Sequence, residues 1–372
     1  PEPPPADPPD PCAISGEICV WMGLPGLAIL SEDGIDRTNS GLYMPQDVAF
    51  APDGTAYVAD FNNHRVRRVA PDGLATTVAG TGIPGDGPHA GGSCLFGCQA
   101  AATDIWHPSQ LLMDPADPTV FYMAAWHNHR LIRVDVASDQ MTWMVGDGVP
   151  GYGANQVSYP SSIVAGPDGT LYFSDQGNQM VRRIDPGGVL ADVAGQPGVG
   201  GYEGDGGLAV DAVLHGHSDW AGGPTSKLAL SGSTLYVTDS MNGMIRTIDL
   251  DSGVIDRFAG RFVDGADIGS MPGYEGDGGD ALDAVFGYPR DVAIGPDGEV
   301  YVADTANACV RVIAPDGVVS TFAGACGEPG LAGEEGSPLD ARFDQPCGVE
   351  VDADGNVYVA DSTNHLIRRI TR

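Results

Sequence analysis

The sequence predicts an all-β fold: a six-bladed β-propeller of four-stranded antiparallel blades, closed by a strand from the N-terminal region. Three observations carry the prediction. One stretch, YVADFNNHRVRRV at 57–69, returns five more times in altered form, ending at Val134, Ile184, Ile248, Ile313 and Ile370. Each copy reads as two strands around a turn: aromatic and β-branched residues alternate before it, and Val, Ile or Leu alternate with Arg after it. Five copies continue into an outer strand ending at Gly80, Gly146, Gly195, Gly260 or Gly324, whereas the sixth stops at Arg372. The segment ICVWMGLPG at 18–26 resembles those outer strands and supplies the missing one. Closing the ring in this way removes the free sheet edges of an open array.

In chain order, residues 1–13 form a Pro-rich tether that cannot pack, and 14–372 form the propeller. Its blades run approximately over 42–80, 106–146, 159–195, 224–260, 288–324 and 345–370, the last completed by 17–26. The full repeat at 288–324 holds four strands: RDVAI, EVYVAD, CVRVI and VVSTFAG. Pro-Asp-Gly or Ala-Asp-Gly joins the first two strands at 52–54, 167–169, 296–298 and 353–355, which reads as hairpin turns rather than calcium loops. Between strands two and three an Asn recurs at 63, 128, 178, 242, 307 and 364, where left-handed backbone angles suit it. An Asp precedes that turn at 60, 175, 239, 304 and 361, as an expected acceptor of backbone N–H groups; Ala125 replaces it in blade 2.

The 50 acidic residues against 18 basic ones give a net charge of −32, and Lys227 is the sole lysine. Such a field repels nucleic acid and anionic membrane surfaces, and it suits solubility, salty surroundings or a divalent cation such as Ca2+ as cofactor. No apolar run is long enough to span a bilayer. Seven cysteines fit an oxidising compartment, so the expected location is secreted, periplasmic or tethered to a cell surface through the N-terminal segment. The expected disulfides are Cys12 with Cys19, Cys94 with Cys98 and Cys326 with Cys347, leaving Cys309 unpaired.

The loops between blades carry a signature, GYEGDGGLAVDAVL at 201–214, GYEGDGGDALDAVF at 273–286 and a looser GLAGEEGSPLDARF at 330–343. Together with P-x-x-V-A and D-G-x-x-Y-V-A-D-x-x-N-H-x-I-R, these segments resemble bacterial NHL-repeat β-propellers of exported type, over roughly 14–372. The resemblance implies the fold, and it leaves open lyases, protein- or RNA-binding modules and surface sensors as functions.

It also places ligands at the channel mouth, where the innermost strands open and the turns between strands two and three lie. After its opening Pro each innermost strand carries Gln46-Asp47, Ser109-Gln110, Ser161-Ser162, Thr225-Ser226, Arg290-Asp291 or Cys347-Gly348. A polar ring of Gln46, Asp47, Gln110, Ser162, Ser226, Arg290 and Asp291 is therefore the expected ligand site, for a small polar ligand or a partner's side chain. Peptide-amidating lyases of similar fold hold zinc through His at this place, and here none of the six positions is His. Lactonase-like propellers use carboxylates around a divalent ion, for which Asp47 and Asp291 are candidates. His64, His129 and His365 follow the turn Asn in three neighbouring blades and form a second candidate metal set, although Asn-His is also ordinary repeat architecture. His215 and His217 are a weaker pair. Blade 2 departs most: Trp126-His127-Asn128-His129 replaces the usual turn, and Trp106-His107 precedes its first strand, a docking spot for a ring, sugar or apolar side chain. No nucleophile, P-loop or dinucleotide motif is present. The expected function is a non-enzymatic ligand- or protein-binding scaffold; the rival is a metal-dependent lyase or lactonase acting at the same mouth.

Overall fold

The computed structural model describes residues 12–89, 91–216, 223–262 and 273–372. Most of the Pro-rich segment, and His217, lie outside the described residues. Six antiparallel sheets pack with their innermost strands in cyclic contact, blade 1 meeting both blade 2 and blade 6. In blade 5 the strands are Pro289–Ile294, Val300–Asp304, Cys309–Ile313 and Val319–Ala323, in that order from the channel outward. The ring closes as the repeat count requires: Ile18–Gly23 pairs antiparallel with Leu366–Ile370 as the fourth strand of blade 6. Blades 1, 2, 4 and 6 gain a short fifth strand from the inter-blade loops, such as Glu335–Gly336 against Ile18 and Cys19. Among the described residues no helix is long and apolar enough to cross a membrane.

The turn between strands two and three is one tight helical turn, such as Phe61–Asn63 or Thr305–Asn307. The left-handed residue is not the Asn but the one after it: His64, His129, Gln179, Gly243, Ala308 or His365. The Asn has other work. Its amide reaches the preceding Asp, as in Asn364 to Asp361 at 2.9 Å, and a carbonyl of the inter-blade loop, as in Asn364 to Gly330 at 2.8 Å. The repeated Asp residues accept backbone N–H groups as expected, for example from Tyr43 to Asp60 at 2.8 Å and from Asp344 to Asp361 at 2.8 Å.

A fully buried arginine on the third strand then anchors the acidic loop. Arg311 lies 3.7 Å from Asp304 and 2.6 Å from Asp277, and donates to the carbonyls of Val285 and Glu275. Arg246 does the same with Asp239 and Asp205. The GDGG signature is thus a structural latch, with Gly276 held at φ +98° where a Cβ would lie 2.8 Å from the Ala284 backbone.

The cysteines correct one expectation. Cys12–Cys19 and Cys94–Cys98 are bonded, but the third disulfide is Cys309–Cys326, and Cys347 is free and buried. Cys309 opens the third strand of blade 5 and Cys326 follows its fourth, so their Cα atoms come within 5.0 Å inside one blade. Cys347 sits on the innermost strand of blade 6, where its sulfur meets Arg290 Nη1 at 3.0 Å.

Candidate functional site at the channel mouth

The polar ring expected at the strand openings exists, but it is buried and turned to a different use. Asp47 accepts from the backbone N–H of Leu111 in the next blade at 2.8 Å; Gln110 accepts from Ile163 at 2.7 Å and Ser162 from Leu228 at 2.9 Å. Asp291 accepts from Val349 at 3.0 Å. Each side chain stitches its innermost strand to the neighbouring one. In blade 4 the stitching position is not Ser226, because Pro224 is followed by one extra residue; it is Lys227. Its ammonium donates to Asp291 at 2.9 Å and to the carbonyl of Gln46 at 2.9 Å, and it lies 3.8 Å from Asp47. Blade 6 contributes Gly348, where a Cβ would meet the Gln46 carbonyl oxygen at 2.3 Å.

The only lysine of the chain therefore bolts blades 1, 4 and 5 together, in the position between Asp47 and Asp291 that a divalent cation would need. Burial disfavours the ammonium, but the two carboxylates outweigh it and hold its pKa above the ordinary value. Burial raises Asp47 and Asp291, with Lys227 opposing in both. These residues fit an ammonium rather than calcium, and among the described residues no group of three or more His, Cys, Asp or Glu is arranged to hold a metal.

The three turn histidines serve separate junctions. His129 Nδ1 accepts from the N–H of Tyr159 at 3.1 Å and His365 Nδ1 from that of Met44 at 3.3 Å. Gln179 plays the same part toward Gly216 at 2.7 Å. His64 is the exception: its Nδ1 is buried without a partner, and its ring lies 4.6 Å from that of His107.

What the fold does assemble is an aromatic and imidazole cluster over blades 1 to 3. In blades 5 and 6 the first turn residue is Thr305 or Ser362, whose hydroxyl donates to the opening Pro carbonyl of the next blade at 2.7 and 2.6 Å. Blades 1 and 2 put Phe61 and Trp126 there. His107 stacks on Phe61 at 4.2 Å with 14° between planes, and His127 lies 4.4 Å from Trp126 and 4.9 Å from Trp106. Tyr159 of blade 3 packs 5.3 Å from Trp126 and 4.6 Å from His129. The Nδ1 atoms of His107 and His127 face each other in a hydrogen bond, so one ring donates and the other accepts. Burial pushes His64, His127 and His129 down to about 4 and His107, which also feels His127 and His64, to about 2; all four rings are neutral at pH 7. Trp126 is 2% exposed and its Nε1 has no partner, whereas Trp106 is 41% exposed. The two unpartnered polar atoms, His64 Nδ1 and Trp126 Nε1, are buried within this neutral cluster, and the open indole of Trp106 is the face on which a planar or sugar ring can stack. Phe61 and Tyr159 were not foreseen as members; only the blade neighbours make them so.

The NHL repeat family model matches residues 42–69, 286–313 and 343–370, which are blades 1, 5 and 6. This chain carries NHL repeats. Teneurin-m of Drosophila melanogaster is 28% identical over 369 residues, covering 90% of this chain and 12% of that protein. NHL repeat-containing protein 2 of Bos taurus is 24% identical over 341 residues, covering 91% of this chain and 40% of that protein. The chain thus spans less than half the length of these relatives. Among solved structures, an auxiliary nutrient binding protein from Bacteroides thetaiotaomicron aligns with a TM-score of 0.64 at 16% identity, covering 95% of this chain and 75% of its own. Virginiamycin B lyase from Staphylococcus aureus aligns with a TM-score of 0.51 at 14% identity, covering 87% and 94%. Likeness at such identity extends to the fold alone.

Proposed function

We propose that this propeller is an exported, non-enzymatic binding module that takes a ring-bearing ligand, or a partner's ring side chain, on the shelf of Trp106, His107 and His127. The observation that carries the reading is the replacement, at the turns of blades 1 and 2, of the hydroxyl tethers of blades 5 and 6 by packed neutral rings opening at an exposed indole. The polar belt that a metal-dependent lyase or lactonase would need at the axis is spent on Lys227. Three disulfides suit an oxidising compartment, and a protein named for auxiliary nutrient binding shares the architecture.

The test is tryptophan fluorescence of the full chain, titrated with a panel of oligosaccharides and aromatic compounds. Saturable quenching by a panel member, lost in Trp106→Ala and retained in Tyr274→Ala on a distant loop, is the expected result. Quenching that survives Trp106→Ala, or a panel with no saturable response, would sink the reading.

A further inference from the structure

Opposite the aromatic mouth the channel opens into a second cavity, of 290 Å³. Its walls are the outward halves of the innermost strands, with Phe50, Leu112, Met113, Val164, Leu230 and Ile294 among them. Its side chains are apolar except for Gln110, whose carbonyl is committed to Ile163, and Glu350, while polar atoms make up more of the exposed wall than apolar ones. Two residues beyond the stitching position the other five blades carry Ala49, Leu112, Val164, Ala229 and Ala293. Blade 6 alone carries an acid there. Glu350 forms no ion pair with the described residues and takes only the N–H of Val351 beside it, whereas the buried Asp60, Asp175, Asp239, Asp304 and Asp361 each face an arginine.

We infer that this well is a second ligand site, on the face away from the proposed mouth, and that it takes an organic ammonium ion with a compact apolar body. The volume sits at the lower end of the range of about 300–1,000 Å³ typical of small-molecule sites. An alkyl body packs against the apolar side chains, and an ammonium head supplies the ion-pair partner that Glu350 lacks. Burial, with Asp47 and Asp291 nearby and Lys227 opposing, keeps the carboxyl of the empty site well above the usual range. Binding of an ammonium therefore drives a proton off Glu350. Affinity rises with pH as the carboxyl loses its proton, until the ligand itself begins to lose its own.

The experiment is calorimetric titration of the full chain with hexylammonium and, separately, hexan-1-ol, at pH 6 and pH 8 in buffers of different ionisation enthalpy. Hexylammonium should bind with unit stoichiometry, more tightly at pH 8, releasing protons, and more tightly than the alcohol. Glu350→Gln should weaken it about 10- to 100-fold, the range for a lost charge-assisted hydrogen bond, and Leu230→Trp should block it by filling the well. Glu350→Leu, which restores what the other blades have, should raise Tm while abolishing the preference for the amine. No saturable amine binding, equal binding of amine and alcohol, or unchanged binding in Glu350→Gln overturns the proposal. A lower Tm in Glu350→Leu with binding intact also overturns it, by making Glu350 a structural group. Neither Trp106 nor His127 is involved, so failure of the aromatic shelf leaves this result standing.

Discussion

In blade 5, Asp304 accepts the N–H of Gly287 at 2.6 Å and is backed by Asn307 and by Arg311. In blade 2 the same two positions hold Ala125 and Ile132, and both are buried. There Asn128 takes over the part of the missing Asp, its carbonyl accepting the N–H of Trp106 at 2.7 Å, while its amide still holds the loop carbonyl of Gly85 at 2.6 Å. Both blades satisfy the junction. Blade 5 does it with a buried ion pair, which is specific and rigid but leaves no room for anything else. Blade 2 shifts its ion pair to Arg130 and Asp86, at 2.9 Å, and Trp126 packs against His107, His127 and Tyr159. The difference teaches that in this ring the junction chemistry is interchangeable, and that the aromatic cluster forms around the one turn that lacks its Asp.

The largest effect should come from breaking the blade 5 arrangement. Arg311→Ala leaves Asp304, Asp277 and two loop carbonyls without their cation, and chemical denaturation should show a loss of roughly 3–5 kcal/mol. Grafting the pair into blade 2 sharpens the contrast. Ala125→Asp alone buries a carboxylate opposite Arg130, which Asp86 already holds, while Ala125→Asp with Ile132→Arg should recover part of the loss, a coupling of about 1–3 kcal/mol in a double-mutant cycle. Equal losses in the single and double variants would mean that blade 2 has diverged beyond the shared frame.

The disulfide of blade 5 comes next. Cys309→Ala with Cys326→Ala opens a link of sequence separation 17 and should lower stability by about 2–4 kcal/mol. No disulfide joins the four long strands of blade 2, where Cys94–Cys98 closes only the loop before them.

The smallest effect is on pH dependence. Burial raises Asp304 and Asp361 to about 6, so the folded state holds their protons where the unfolded chain has released them. Each contributes stability at low pH that is lost as pH rises from the unfolded carboxylate range, about 4, through 6. Relative to wild type, Asp304→Asn should therefore be less stable at pH 4.5 than at pH 7; blade 2, lacking the Asp, adds nothing to this slope. Thermal melts of both proteins at the two pH values check it, and the subtraction removes the general relief of a charge of −32.

Much of this was legible in the sequence. Six copies of one strand–turn–strand pattern dictate six blades, because each can bury its faces only against neighbours. The likeness of 18–26 to the outer strands pointed to the strand that closes blade 6. Recurrent Asp before the turn announced its backbone-accepting role, and the Trp-His-Asn-His departure in blade 2 marked the aromatic site. These features are local or periodic, and period and turn chemistry are written in adjacent residues.

Only the tertiary structure decided the rest. One inserted residue in blade 4 exchanged Ser226 for Lys227 at the axis, and converted two prospective metal ligands, Asp47 and Asp291, into the partners of an ammonium. The sulfur pairing went to Cys309 and Cys326 because the outer two strands of one blade bring them to 5.0 Å. Phe61 and Tyr159 joined the shelf, and Glu350 came to line the opposite well, through neighbours on other blades. Around a closed ring, partners are set by register and by the distance across the channel. Neither is encoded by any one segment, since both arise when six segments meet at a common axis.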